Sequence, residues 1–141
     1  LDSLGKINIF LGIAFLKGLG LVHAISHMVG AEYDTQHGLT NAVVLPAALR
    51  HNAHALADKI EPLSQAMGLR DTSFEAFYAH VCAILDQVGI PKTLSDIGVP
   101  SDCAARIADK ALQDSAAGTN ACALTAQDIE RVIAVALTKG R

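Results

Sequence analysis

The apolar residues of this chain recur at helical spacing, and no stretch shows the sustained period-two alternation of a half-buried β-strand. Runs of β-branched and aromatic residues are short, and alanine is abundant throughout. The sequence therefore predicts an all-α protein, a multi-helix bundle of roughly six or seven helices of ordinary length. Because the chain has 141 residues, we expect one helical domain spanning 1–141.

Composition excludes several classes of protein. Hydrophobic residues make up 51% of the chain, which is too many for intrinsic disorder. The net charge of −3 provides no basic field for a phosphate backbone, so nucleic acid is not an expected partner. The most apolar stretch, Ile9 to Leu16, ends at Lys17 and is far shorter than the ~20 residues of a membrane span. We therefore expect no membrane partner. An exposed helix at Ile9 to Leu16 would instead favour a homo-oligomer.

The three cysteines form no CxxC pair, and no secretory signal opens the sequence, so a cytoplasmic protein is expected. Local start and stop signals then predict the helices. The first is predicted over 3–29, either continuous or broken near Gly18 and Gly20, and ends at Gly30. A loop over 31–38 follows. A second helix is predicted over 40–56, with Pro46 inside, and a short one after Pro62 within the segment 58–67. Ser73 is expected to cap a helix to Val88, Ser101 one to Ser115, and Thr125 with Asp128 the last. An apolar stripe on the Ser73 helix is expected to face the core: Phe74, Phe77, Val81, Ile84, Leu85 and Val88.

Histidines are concentrated where the chain is otherwise apolar. His23 and His27 are four residues apart, so their rings lie on one helix face, and a turn separates them from His37. Imidazole suits zinc or iron, but the nearby acids, Glu32 and Asp34, are expected to be solvated. Spacing alone leaves two interpretations open, metal ligands or packed and surface histidines. The other histidines are expected at the surface: His51, His54 and His80.

The wider sequence around these histidines is more specific. The run from Gly18 to Gly30 has the form G-x-x-H-x-x-x-H-x-x-G when read from Gly20, and His37 to Pro46 begins with His-Gly and ends in Leu-Pro. This pattern closely resembles the signature of the iron-containing (group III) alcohol dehydrogenases. Further segments resemble the tail of that family's helical domain: Asn52, Ala108–Asp114, Thr119–Asn120 and Leu124–Ile129.

The resemblance implies roles for the three histidines. It makes His23 and His37 ligands of a divalent metal, Fe(2+) or Zn(2+), and makes His27 a catalytic residue beside the substrate and nicotinamide. It also implies an oxidoreductase that oxidises alcohols or reduces aldehydes and ketones with NAD or NADP. The family's N-terminal nucleotide-binding domain is absent from this sequence, as is the front of the helical domain, which supplies an aspartate and a histidine to the metal. We therefore expect the isolated chain to be inactive.

The sequence departs from the family pattern at a few positions. Met28 and Gln36 stand where prolines are usual, and Ala121 and Cys122 replace the usual Pro-Arg pair after Asn120. Loss of a proline can alter the path of the ligand loop, because proline fixes φ. The alternative to an oxidoreductase is a non-catalytic helical assembly or partner-binding module with relic histidines.

Overall fold

A computed structural model describes residues 18–141. All regular structure in this range is helical and no β-strand occurs in it, so the predicted all-α fold is confirmed. The α-helices are α1 (Gly20–Tyr33), α2 (His37–Asn52), α3 (Ala57–Ala66), α4 (Phe74–Gln87), α5 (Ala104–Leu112) and α6 (Ala126–Thr138). Short 3-10 turns lie at Ala53–Leu56, Ser95–Ile97 and Ala117–Thr119.

Four helices enclose the central core. α1 packs against α2 and α5, and α6 packs against α2 and α5, while α3 and α4 contact each other at the edge. Burial of each large aliphatic side chain contributes about 1.5–3 kcal/mol, so this cluster dominates the stability of the fold. Its fully buried members include Leu21, Ile25, Val29, Val43, Val44, Ile107, Ile129 and Ile133. The packing places the histidine-bearing helices α1 and α2 side by side.

Local capping signals predict two helix starts correctly. The Ser73 side chain accepts a hydrogen bond from the Ala76 N–H, and α4 begins at the next residue, Phe74. Thr125 and Asp128 form a reciprocal capping box at the start of α6. The predicted Ser101 cap is wrong: α5 begins at Ala104 without a side-chain cap.

The predicted end of the first helix is also wrong. Gly30 lies inside α1, which continues through Tyr33 and ends where Asp34 adopts the left-handed conformation at φ 52°. Two contacts hold the last turn. Tyr33 packs against the core, and Glu32 forms ion pairs with Arg106 and Lys110 of α5. These tertiary contacts outweigh the preference of glycine for a helix end. The part of the first prediction that falls on 3–17 lies outside the described residues, as does the apolar stretch Ile9 to Leu16.

Helix α2 begins three residues earlier than predicted, at His37, and contains Pro46 as expected. Gln36 takes over the role of a cap, because its side-chain Oε1 accepts the Leu39 N–H at 2.5 Å. The predicted continuation to 56 is a 3-10 turn, and α3 contains Pro62 instead of starting after it.

The apolar stripe of α4 is only partly buried. Phe77 and Leu85 belong to the buried set, but Ile84 and Val88 are 40% and 66% exposed. The helix therefore lies at the edge of the bundle and covers the core with one narrow face. Among the described helices, none has both the length and the hydropathy to cross a bilayer.

Candidate functional site

The N-terminus of α1, which carries His23 and His27, is fixed by residues far away in sequence. Leu19 precedes the helix and provides no side-chain cap. Instead, Thr119 Oγ1 accepts the Leu19 N–H at 3.2 Å, and Asn120 Oδ1 accepts the Leu21 N–H at 3.2 Å. The Thr119–Asn120 pair thus supplies the acceptors that the first turn of a helix requires. These contacts fix the start of the helix that carries the two histidines.

The structure brings the three histidines together. Ring centroids lie 5.3 Å apart for His23 and His37, 5.8 Å for His23 and His27, and 5.4 Å for His27 and His37. The His27 and His37 rings are nearly parallel, with an interplanar angle of 16°. Only Asp34 to Gln36 separate α1 from α2, so the chain reverses over three residues and places His37 beside the second turn of α1.

Two of the rings converge on one amide. The side-chain Nδ2 of Asn41 lies 3.0 Å from His37 Nε2 and 3.3 Å from His23 Nε2. Asn41 Oδ1 accepts a hydrogen bond from the buried hydroxyl of Ser26 at 2.5 Å. Sequence reasoning missed both residues. Their spacing could have identified them, because Asn41 is four residues after His37 on α2 and Ser26 three after His23 on α1.

The third ring turns toward a carboxylate instead. His27 Nδ1 lies 3.0 Å from Asp114 Oδ2, and the two side chains are 35% and 14% exposed. Asp114 follows α5, 87 residues later in the chain. It also accepts the Ala116 N–H, so the backbone holds the carboxylate while it faces the imidazole. No local sequence signal pairs these two residues.

The donor set fits part of a metal site. Within residues 18–141, no three His, Cys, Asp or Glu side chains form a group able to hold a metal ion by themselves. His23 and His37 do direct both Nε2 atoms at one point, and paired imidazole nitrogens are typical ligands of zinc and non-haem iron. The arrangement therefore fits two ligands of a metal whose other ligands lie outside the described residues.

The surroundings of His23 favour the neutral form of its ring. Burial lowers the pKa of the His23 imidazole, and the neighbouring His37 and His27 rings lower it further. The nearby backbone of Leu19 and the Asp114 carboxylate act in the opposite direction. A lowered pKa leaves the ring with a free lone pair at neutral pH, the form that binds metal.

An open apolar depression of about 430 Å³ at the surface adjoins the cluster. His23 and Asn41 line one side of it, and Leu19, Val22 and Leu45 are among the aliphatic residues that line the rest. A mostly apolar hollow with a few convergent polar groups is the usual form of a small-molecule site.

Two predictions about residues outside the cluster need correction. Glu32 is not a solvated loop acid: it lies on α1, is 17% exposed and pairs with Arg106 and Lys110. His51 and His80 are half-buried and not at the surface, and His51 Nε2 lies 3.8 Å from Cys122 Sγ. Asp34 and His54 are exposed, as expected.

A comparison with protein families finds one that covers almost the whole chain. Residues 8–137 match the model of the Fe-containing alcohol dehydrogenase family, C-terminal. The chain is 36% identical over 118 residues to lactaldehyde reductase of Escherichia coli strain K12, a match that covers 79% of this chain and 31% of that protein. It is 32% identical over 133 residues to the NAD-dependent methanol dehydrogenase of Bacillus methanolicus, covering 89% of this chain and 35% of that one.

Solved structures agree with the sequence matches. The crystal structure of a 1,3-propanediol oxidoreductase has a TM-score of 0.79 and 32% identity, and the match covers 84% of this chain and 32% of that one. An alcohol dehydrogenase from Oenococcus oeni has a TM-score of 0.74 and 31% identity, covering 83% and 32%. The chain thus spans about a third of the length of the relatives that it matches.

Proposed function

The chain belongs to the Fe-containing alcohol dehydrogenase family, whose C-terminal part it matches, and we propose that it supplies half of a metal site and one wall of a substrate cleft. The whole protein would interconvert small alcohols and their aldehydes or ketones with NAD or NADP. The observation that carries the proposal is the convergence of His23 Nε2 and His37 Nε2 on a single point beside an open apolar depression.

The two ligands lie on elements that hold them firmly. His23 sits one turn inside α1, whose first turn is capped by Thr119 and Asn120, and His37 is the first residue of α2. When bound, Fe(2+) or Zn(2+) would polarise the substrate oxygen as a Lewis acid, and the nicotinamide would provide the hydride acceptor or donor. The protein's part is to aim the Nε2 atoms of both imidazoles at one point.

His27 would accept or return the proton of the substrate hydroxyl. Its Nδ1–H would be donated to the Asp114 carboxylate at 3.0 Å, which leaves Nε2 free to accept or return a proton. The 14% exposure of Asp114 limits competition from water. His27 would lose this role if its proton were on Nε2. Asp114 would therefore set the tautomer of the ring as well as its position.

Further parts of the proposal concern what surrounds the chain. A nucleotide-binding domain of the same protein would hold the dinucleotide, because the chain lacks a glycine-rich strand-turn-helix for its pyrophosphate. The expected assembly is a cytoplasmic homo-oligomer. Several curated relatives are dehydrogenases or reductases of small hydroxyl or aldehyde compounds by name, so a panel of short primary alcohols, diols and hydroxy acids is the first choice of substrates.

Metal content tests the proposal. The protein, expressed from its complete reading frame and loaded anaerobically with Fe(2+) or Zn(2+), is expected to hold one metal ion per chain. His23→Ala and His37→Ala should each remove most of the bound metal. A site with few ligands binds metal too weakly once it has lost one imidazole. The matched control is His54→Ala, which changes an exposed histidine on the turn after α2 and should keep the metal.

Activity gives the second measurement. The loaded wild-type protein should oxidise at least one alcohol of the panel with NAD or NADP, and the 141-residue chain alone should not. A folded oligomer that binds no metal, or whose metal survives both histidine changes, would favour the alternative of a non-catalytic helical module.

A further inference from the structure

Ser26 and Asn41 join the two proposed ligands into one polar network. Ser26 is fully buried, and its Oγ lies 2.5 Å from Asn41 Oδ1 and 3.5 Å from His37 Nδ1. Asn41 Nδ2 lies 3.0 Å from His37 Nε2 and 3.3 Å from His23 Nε2. Both ring nitrogens of His37 therefore contact this pair of residues: Nδ1 faces Ser26 and Nε2 faces Asn41.

The protons of this network can be assigned by counting donors and acceptors. An amide nitrogen carries two N–H donors and no acceptor. With the Asn41 amide oriented as in the structure, Nδ2 faces both rings, so both Nε2 atoms accept and both rings carry their proton on Nδ1. The His37 Nδ1–H then faces Ser26 Oγ, the Ser26 O–H is donated to Asn41 Oδ1, and the ring of hydrogen bonds closes.

The opposite assignment places donors against donors. A proton on either Nε2 would face an Asn41 N–H. Such an unmatched polar contact costs free energy, more at the half-buried His23 than at the exposed His37. For His23, the contacts of the other ring nitrogen, Nδ1, do not distinguish between the two tautomers. Its Nδ1 is buried and has no hydrogen-bond partner among the described residues in either tautomer.

We propose that Asn41 and Ser26 are positioning residues that hold His23 and His37 in the Nδ1–H tautomer, so that both Nε2 lone pairs face one point before any metal arrives. Asn41 fills that point in the metal-free protein, and its two N–H bonds are given up when a metal takes the lone pairs. Ser26 keeps its contact with His37 Nδ1, the kind of outer contact that orients a ligating histidine. The benefit to metal binding rests on the proposed function. The assignment of the two tautomers does not depend on it.

Nitrogen-15 NMR of the imidazoles tests the assignment directly, because protonated and unprotonated ring nitrogens resonate far apart. The metal-free 141-residue chain is measured with a chelator present, at a pH about two units above the ordinary imidazole value of ~6.5, so that every ring is neutral. Wild-type His23 and His37 should both show a protonated Nδ1 and an unprotonated Nε2. The rings of His51, His54 and His80 are internal references.

Asn41→Asp is the sharpest variant because it keeps the shape and exchanges the N–H donors for acceptor oxygens. It should move the proton of both rings to Nε2. Ser26→Ala should shift the tautomer of His37 and leave that of His23 unchanged. Gln127→Glu, with the same change of charge at an exposed position of α6, is the matched control and should leave both rings as in the wild type.

A protonated Nε2 on either wild-type ring, or an Asn41→Asp protein with unchanged tautomers, would overturn the inference. If Asn41→Asp does not fold by circular dichroism, the wild-type spectrum and Ser26→Ala decide alone. Metal retention in His23→Ala and His37→Ala tests the proposed function separately, so either can fail without the other.

Discussion

Asn120 links the site-bearing helix to the rest of the bundle, and replacing it by alanine tests that link. Its Oδ1 accepts the Leu21 N–H at 3.2 Å and the Asn52 Nδ2–H at 2.9 Å. Its Nδ2 donates to Asn52 Oδ1 at 2.8 Å and to the Cys122 carbonyl at 3.1 Å. One side chain therefore caps α1 and closes a reciprocal amide pair with the end of α2.

The magnitude follows from what the change leaves unpaired. Loss of a helix cap costs about 1 kcal/mol, and leaving the half-buried Asn52 amide without its partner costs about 1–3 kcal/mol. Asn120→Ala should therefore lower the free energy of unfolding by about 2–4 kcal/mol. Asn52→Ala keeps the cap on α1 and should cost less.

Urea denaturation followed by circular dichroism measures both variants. Hydrogen exchange of the Leu21 amide reports the Asn120 cap itself, and the Leu19 amide, which donates to Thr119, is the internal reference. The loss of unfolding free energy in the double variant should be smaller than the sum of the two single losses, by at least about 1 kcal/mol. The sum counts the broken amide pair twice. An Asn120→Ala cost below about 0.5 kcal/mol, or strict additivity, would refute the reasoning. Unchanged amide exchange at the start of α1 would refute the capping role.

Three further predictions concern the site and the fold. In the complete metal-loaded enzyme, Asp114→Asn should lower kcat roughly 10-fold to 100-fold by misorienting His27, a fraction of the ~10²–10⁴ typical of general acid–base groups; an unchanged kcat in steady-state assays would contradict it. Because the pKa of His23 is lowered in the folded protein, the unfolded chain binds a proton more readily below about pH 6.5, so metal-free stability should fall as pH drops from about 7 to 5. Thermal unfolding should show this slope and His23→Gln should flatten it, while an equal slope in both would count against the shift. Thr125→Ala should cost about 1 kcal/mol in urea denaturation by opening the capping box with Asp128, and a neutral result would mean that the box adds nothing.

Helix starts set by neighbouring residues could be predicted from sequence, and those set across the fold could not. Ser73 and the Thr125–Asp128 box act within three residues, so their spacing alone identifies them. The cap of α1 comes from Thr119 and Asn120, about 100 residues away. The resemblance had singled out Thr119 and Asn120, but nothing local assigned them a contact.

The end of α1 shows tertiary structure overriding local preference. Gly30 is the natural stop in sequence, yet the helix continues because Tyr33 packs on the core and Glu32 pairs with two cations of α5. Those partners lie more than 70 residues away. A prediction that treats Glu32 as a solvated acid therefore also misplaces the helix end.

Sequence reasoning could have identified some of the polar residues that contact the histidines, namely Ser26 and Asn41. Helical periodicity places Ser26 and Asn41 near His23 and His37, so asking which polar residues follow each histidine by three or four would have found both. Asp114 was out of reach, because its approach to His27 depends on how α5 packs against α1.

Anomalous X-ray diffraction from the complete protein, crystallised with Fe(2+) or Zn(2+), tests the central claim most directly. One strong anomalous peak is expected about 2.0–2.2 Å from both His23 Nε2 and His37 Nε2, with His27 unligated and still facing Asp114. A metal ion held away from these two nitrogens, or bound through Nδ1 of either ring, would contradict it.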